Sequence, residues 1–289
     1  MGEIKDFKCT YVNSAGITEE VTKKLNLKFP DAYLYHDTMV ELSIALKEHD
    51  QAVFCEMPFC HTVEGEAMGG SITYGDEKTG PRAKEYVCNS LEEVLELPEI
   101  DFSKGRIKEV LVACQQLKEK GEHVVLEISG PFTILNILID TKHVFRALRK
   151  NPELLQQVFD KIGAELLRYV REAKKYGVEF ISYADSSASV GILGPKVMEQ
   201  FTHMFTYGFL KELEKETDEN CMILLCPKTT FALLGTEKAV FEDVELDEVM
   251  RYSEACIFML GKTSFAGQMC VKNVGHTLES KKFKKVVLV

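Results

Sequence analysis

Cys221–Met–Ile–Leu–Leu–Cys226, followed at once by Pro227–Lys–Thr–Thr230, is the stretch on which the reading of the fold turns. Bounded by Asn220 and Pro227, the apolar run has strand length and is too short for a helix, so it reads as a fully buried strand. Its last residue is a thiol, and the segment after it reads as a loop carrying a lysine and two hydroxyls. A thiolate at the mouth of such a strand binds a metal or attacks an electrophile, whereas a cysteine packed in a core does neither.

Working outward, runs of the same kind recur. Gln51–Phe54, His123–Ile128 and Val178–Ala184 are strand-like, and further strands are expected near Val240–Val244, Ala255–Leu260 and Ser264–Met269. Between them, helical periodicity or helix punctuation marks Ser14–Leu25, Tyr35–His49, Leu91–Leu97, Ile107–Lys120, Ile134–Leu148, Pro152–Tyr176 and Pro195–Thr217. Alternating strand, turn and helix with near-continuous apolar strands is the pattern of a parallel sheet covered by helices. Weaker segments would supply the remaining strands of a TIM-like (β/α)8 barrel, distorted and shortened at its N- and C-terminal ends. A doubly wound open sheet competes, but no Gly-x-Gly-x-x-Gly follows the first strand. One domain over residues 1–289 is the economical organisation.

A formal charge of −10 argues against nucleic acid or an anionic membrane surface as the main partner. No uncharged apolar run approaches membrane-spanning length, and the Met1–Asp6 start lacks the apolar core of a signal peptide, so a cytoplasmic protein is expected. The nine cysteines are odd in number, scattered, and include no Cys-x-x-Cys pair. Reduced thiols then serve metal binding, catalysis or packing, and any metal site draws ligands from distant strands.

In a barrel the segments after the strands converge on one face, where active sites are built. Those segments hold Cys60 and His61, Ser129 to Thr133, Asp185 to Ser189, Cys226 to Thr230, and Gln268 with Cys270. Each has a plainer reading. Cys55, Cys88, Cys114, Cys221 and Cys256 stand in apolar surroundings and read as core. Cys60 and His61 are adjacent, so on extended chain they point to opposite faces and do not form a nucleophile–base pair. Glu64 and Glu66 suit capping or solvent better than acid–base work. Asp185 is a ligand-binding carboxylate or the N-cap of the helix that follows it. Ser129–Gly–Pro can be a turn, and Lys228 an ordinary solvated lysine.

Taken together, Pro58–Phe–Cys–His–Thr–Val–Glu–Gly–Glu–Ala–Met–Gly69, Ser129–Gly–Pro–Phe–Thr133, Ala184–Asp–Ser–Ser–Ala–Ser189 and Cys226–Pro–Lys–Thr–Thr230 resemble the uroporphyrinogen decarboxylase superfamily. Within it they resemble the methylcobamide:coenzyme M methyltransferase branch most. The likeness runs from about Tyr35 to Thr236 and implies the same distorted barrel. The decarboxylase branch carries an N-terminal Arg-Gln-Ala-Gly-Arg signature that grips porphyrinogen carboxylates; nothing like it stands in residues 1–30, and Cys60 occupies the place of that branch's aspartate.

The methyltransferase resemblance implies a methylcorrinoid (methylcobalamin-like) cofactor supplied by a separate corrinoid carrier protein, a small thiol or pterin as methyl acceptor, and zinc bound through a His-x-Cys pair and a later Cys. Cys226 matches the first cysteine, Leu224 stands in the histidine position, and Cys270 is the best match for the second cysteine. Three arrangements stay open. Cys226 and Cys270 hold zinc with His61 or Glu127 as third ligand; or the pocket is metal-free and Cys226 is a thiol in it; or the chain binds a corrinoid or tetrapyrrole without turnover. By the resemblance Cys226 and Asp185 are the catalytic candidates, with Cys60, His61, Ser129, Ser187 and Lys228 as substrate contacts.

Overall fold

A strand buried on both faces needs apolar side chains at nearly every position, and the centre of this chain supplies four such segments. The computed structural model describes residues 3–7 and 16–289; the first residues of the helix expected from Ser14 lie outside them. In chain order the first half runs α1 (Glu19–Leu25), α2 (His36–His49), β1 (Phe54–Met57), α3 (Val63–Ala67), β2 (Ser71–Thr73), β3 (Arg82–Glu85), α4 (Leu91–Glu96), α5 (Gly105–Glu119), β4 (His123–Ser129), α6 (Pro131–Leu138) and α7 (Thr141–Lys150). The second half runs α8 (Pro152–Lys175), β5 (Phe180–Ala184), α9 (Val190–Leu193), α10 (Pro195–Phe201), α11 (Tyr207–Glu214), β6 (Met222–Leu225), α12 (Pro227–Gly235), β7 (Ala239–Glu245), α13 (Tyr252–Phe258), β8 (Phe265–Ala266) and β9 (Lys282–Leu288). A π-helical turn, Thr202–Thr206, joins α10 to α11.

The main sheet has seven strands in the order β1-β4-β5-β6-β8-β9-β7, beside a separate β2–β3 hairpin. β1, β4, β5, β6 and β8 are parallel neighbours. β9 then turns the sheet antiparallel, pairing with β8 on one side and along the whole of β7 on the other. The fold is thus α/β with a parallel sheet at its centre, and it departs from a plain eightfold strand–helix repeat in its last third. β7 and β9 form an antiparallel ladder in which Lys282, Lys284 and Lys285 meet Asp243, Glu245 and Glu242.

Side chains alternate across each strand. Val124, Leu126 and Ile128 of β4 join Ile181, Tyr183, Ile223 and Leu225 in one apolar cluster with the helices. Val125, Phe180, Met222, Leu224 and Ala266 face the other way, packing with Tyr252 and Cys256 of α13 and Phe283 of β9.

Four local expectations are corrected. Ala255–Leu260 is not a strand but the body of α13: Tyr252, Ser253, Ala255 and Cys256 are buried on it, and the Glu254 carboxylate accepts the Arg251 N–H at 3.0 Å to close the first turn. Gln51 adopts φ 53° as α2 ends, so the first strand starts at Phe54 rather than Gln51. The helix expected over Ile134–Leu148 is two, separated where Asp140 caps α7 by accepting the Lys142 N–H at 2.9 Å. The segment after Cys226 is helix α12 and not a loop, because Pro227 occupies its first position with φ already suited to a helix.

Candidate active site

The register of the parallel strands sets one layer of side chains side by side: Glu127 on β4, Ser182 on β5, Leu224 on β6 and Ala266 on β8. Leu224 is therefore not merely apolar filler. It stands in the row that lines a pocket of about 190 Å³ at the C-terminal ends of these strands. The pocket is walled by His61, Glu127, Ser182, Asp185, Ser186, Leu224, Cys226, Lys228, Cys270 and Lys272, with Phe7 at its rim. Phe7 stacks on Phe231 of α12, ring centroids 5.9 Å apart.

Of the residues singled out from sequence, His61, Glu127, Asp185, Cys226, Lys228 and Cys270 meet in this pocket. Three of the expected substrate contacts do not line it, and each is engaged elsewhere. Cys60 does not line it: after β1 the chain bends through Cys60 and His61, and Arg106 donates to the Cys60 Sγ at 3.1 Å, and also to Thr62 Oγ1 at 2.6 Å and Glu66 at 2.6 Å. Ser129 is buried and its backbone N–H donates to Glu64 at 2.7 Å. Ser187 is held by its N–H on Thr133 Oγ1 at 3.1 Å, and its neighbour Ser186 lines the pocket instead.

Asp185 is a cap, but of a different helix from the one expected. Its carboxylate accepts the N–H groups of Phe132 and Thr133, each at 2.9 Å, and the Thr133 hydroxyl at 2.7 Å, so it closes the N-terminus of α6, which follows β4. Gly130 permits this approach, since a Cβ there would stand 2.4 Å from Asp185 Cβ. Burial pushes the Asp185 carboxyl up to about 6, against the pull of those hydrogen bonds. Burial likewise raises Glu64 to about 7 and Cys270 to about 12, the nearby Cys226 adding to the latter.

Of the seven buried side-chain polar atoms without a partner among the described residues, only His61 Nδ1 belongs to a residue that lines the pocket. Burial lowers its pKa, favouring neutral imidazole, and its buried Nδ1 has no hydrogen-bond partner among the described residues. Buried polar atoms are nearly always satisfied, so an orphan in a pocket wall marks a place for one more partner.

The pocket holds a second ammonium beside Lys228, that of Lys272, for which the sequence gives no expectation. Lys272 Nζ lies 2.8 Å from Glu127 and 3.6 Å from Glu56, with 15% of its side chain exposed. Burial alone would pull the ammonium down, but the two carboxylates hold it above the usual lysine range. Glu56, on β1, is raised by burial, with Lys272 opposing and Glu127 adding to the rise. A lone carboxylate inside the apolar strand Phe54–Met57 was the available signal for this cluster.

These donors do not fit the implied zinc. Leu224 offers no lone pair, and Glu127 is already paired with an ammonium. Among the described residues no group of three or more His, Cys, Asp or Glu side chains is arranged to hold a metal ion. Open zinc sites use three protein donors and closed ones four.

A parallel-sheet α/β fold with its functional groups gathered beyond the strand ends defines a class of proteins that bind and transform ligands at that edge. Within that class the chain belongs to the uroporphyrinogen decarboxylase (URO-D) family, which it matches over residues 13–270. Among curated relatives, it is 27% identical over 242 residues to the methylcobamide:CoM methyltransferase MtaA of Methanosarcina barkeri, covering 82% of this chain and 69% of that enzyme. It is 24% identical over 195 residues to MtbA of Methanosarcina acetivorans, a second methylcobamide:CoM methyltransferase, covering 66% of this chain and 57% of that one. A solved structure of a methyltransferase from Methanosarcina mazei superposes with TM-score 0.63 at 24% identity, covering 74% of this chain and 63% of the other. The sequence is thus homologous to corrinoid-dependent methyltransferases of this superfamily. No helix among the described residues is long and apolar enough to cross a membrane.

Proposed function

We propose that this chain transfers a methyl group from a methylcorrinoid, presented by a separate carrier protein, to a small thiol or pterin acceptor seated in the His61–Cys226 pocket. In this reading the parallel sheet is the wall of the (β/α)8 barrel expected from the sequence, and the pocket opens at its C-terminal face. The observation that carries it is the buried, unpartnered Nδ1 of neutral His61 in the same wall as Cys226, within a fold shared with methyltransferases.

For a thiol acceptor the step balances simply. His61 Nδ1, as the Nε2–H tautomer, takes the S–H proton; a methylcorrinoid on the carrier would supply the methyl group to the thiolate sulfur, its cobalt keeping both electrons of the carbon–cobalt bond. The new thioether leaves, and the imidazolium returns its proton to solvent. Cys226, the N-cap of α12, and Lys228, in its first turn, add a thiol and an ammonium to the wall that orients the acceptor, near the positive end of the helix dipole. Asp185 positions the mouth through α6 rather than touching the methyl group.

Incubation with methylcobalamin and a panel of small thiols and pterins, followed by the cobalamin spectrum, tests this directly. Protein-dependent demethylation that is lost in His61→Ala supports it; no demethylation with any acceptor counts against it. Leu224, apolar where the related enzymes' pattern carries an imidazole, favours a second reading, a relative that binds a corrinoid or tetrapyrrole without turnover. That reading predicts calorimetric binding with an unchanged ligand spectrum.

A further inference from the structure

Lys272 and Glu127 lie in the pocket wall, and Lys272 also reaches Glu56 outside it, yet the methyl-transfer reading gives this cluster no part. Lys272 comes from the segment after β8, and it reaches across to the two carboxylates carried by β4 and β1. Glu127 is the one carboxylate in the layer that holds Ser182, Leu224 and Ala266, and thus the only oxygen anion that layer could give a metal. We infer that Lys272 is the resident cation of this pocket: its ammonium occupies Glu127 and takes the electrostatic place of a divalent metal, so that the protein works without one.

The argument is one of distance and charge. Zinc–carboxylate bonds are about 2.0–2.2 Å long, so a zinc ion on the Glu127 carboxylate would lie within roughly 5 Å of the ammonium. The two cations would repel each other in a site shielded from water. Without Glu127 and with Leu224 in the row, the remaining donors are His61, Cys226, Cys270 and Asp185, the last already accepting the Phe132 and Thr133 N–H groups and the Thr133 hydroxyl, and among the described residues they do not form a metal-holding group. A lysine that only decorated the surface would not be gripped by two carboxylates from two different strands.

This inference rests on the methyl-transfer pocket but is read by metal content, so it can fail while methyl transfer stands, and the reverse. The full-length chain, expressed in zinc-supplemented medium and purified, is assayed by mass spectrometry for zinc per chain, beside Leu224→His and the double variant Leu224→His/Lys272→Ala. Wild type is expected to hold less than about one tenth of an equivalent. Leu224→His should stay as low, because the ammonium still occupies Glu127, and the double variant should rise at least fivefold as imidazole and carboxylate become available together. A full equivalent in wild type that disappears in Cys226→Ser overturns the inference, as does a full equivalent in Leu224→His alone or a double variant that folds by circular dichroism and takes up no more zinc than the single. Should the double variant not fold, the wild-type and single-variant values decide the matter.

Discussion

Lys272 Nζ sits 2.8 Å from the Glu127 carboxylate, in the layer of side chains that continues through Ser182 to Leu224. An ammonium and a carboxylate buried together stabilise only as a pair. Lys272→Met is therefore expected to cost about 3–5 kcal/mol, by leaving Glu127 charged and unpaired, while Lys272→Met/Glu127→Gln should regain more than half of the loss. Urea denaturation of the two variants checks this; a double variant no more stable than the single would show that the pair is not coupled.

Asp185 acts through α6. Replacing it by Ala removes the acceptor for the Phe132 and Thr133 N–H groups and the Thr133 hydroxyl, and should destabilise the protein by about 2 kcal/mol. Asp185→Asn, which keeps one acceptor oxygen, should lose roughly half as much. The denaturation midpoint is the readout, and equal losses for both variants would contradict the capping role.

Glu64 and Asp185 make stability depend on pH in a defined direction. Burial raises Glu64 from 4.5 to about 7 and Asp185 from 3.8 to about 6. Between those limits the folded protein holds protons that the unfolded chain has released, so stability is greatest on the acid side and falls as pH rises through the window. In Glu64→Gln the decline between about pH 5 and 7 should be shallower than in wild type. Thermal melts across that range check it, and an unchanged slope would exclude Glu64 as a source.

The legible part of this protein was the part governed by local pattern. Short apolar runs located β4, β5 and β6, whose C-terminal ends carry Glu127, Asp185, Cys226 and Lys228, and these meet His61 after β1 and Cys270 after β8 in one pocket. Cys60 and His61 separate as expected, but through a bend after β1 and the hold of Arg106 on Cys60 rather than through extended chain. What escaped were choices settled by distant partners. Asp185 caps a helix more than fifty residues earlier in the chain, Arg106 claims Cys60, and one lysine of a Lys-rich tail turns inward while Lys282, Lys284 and Lys285 join the acidic face of β7. In α13 the apolar residues Ala255–Leu260 form a run that resembles a strand, while the buried positions Tyr252, Ala255 and Cys256 follow helical spacing.

The most direct measurement of the whole account is methylcobalamin demethylation by chelator-treated, zinc-free protein with a small thiol, compared with the same protein after zinc is added back. The account predicts demethylation in both at the same rate, reduced about a hundredfold or more in His61→Ala through loss of the general base. Demethylation only after zinc is restored would contradict the role given to Lys272, and none under either condition would contradict methyl transfer itself.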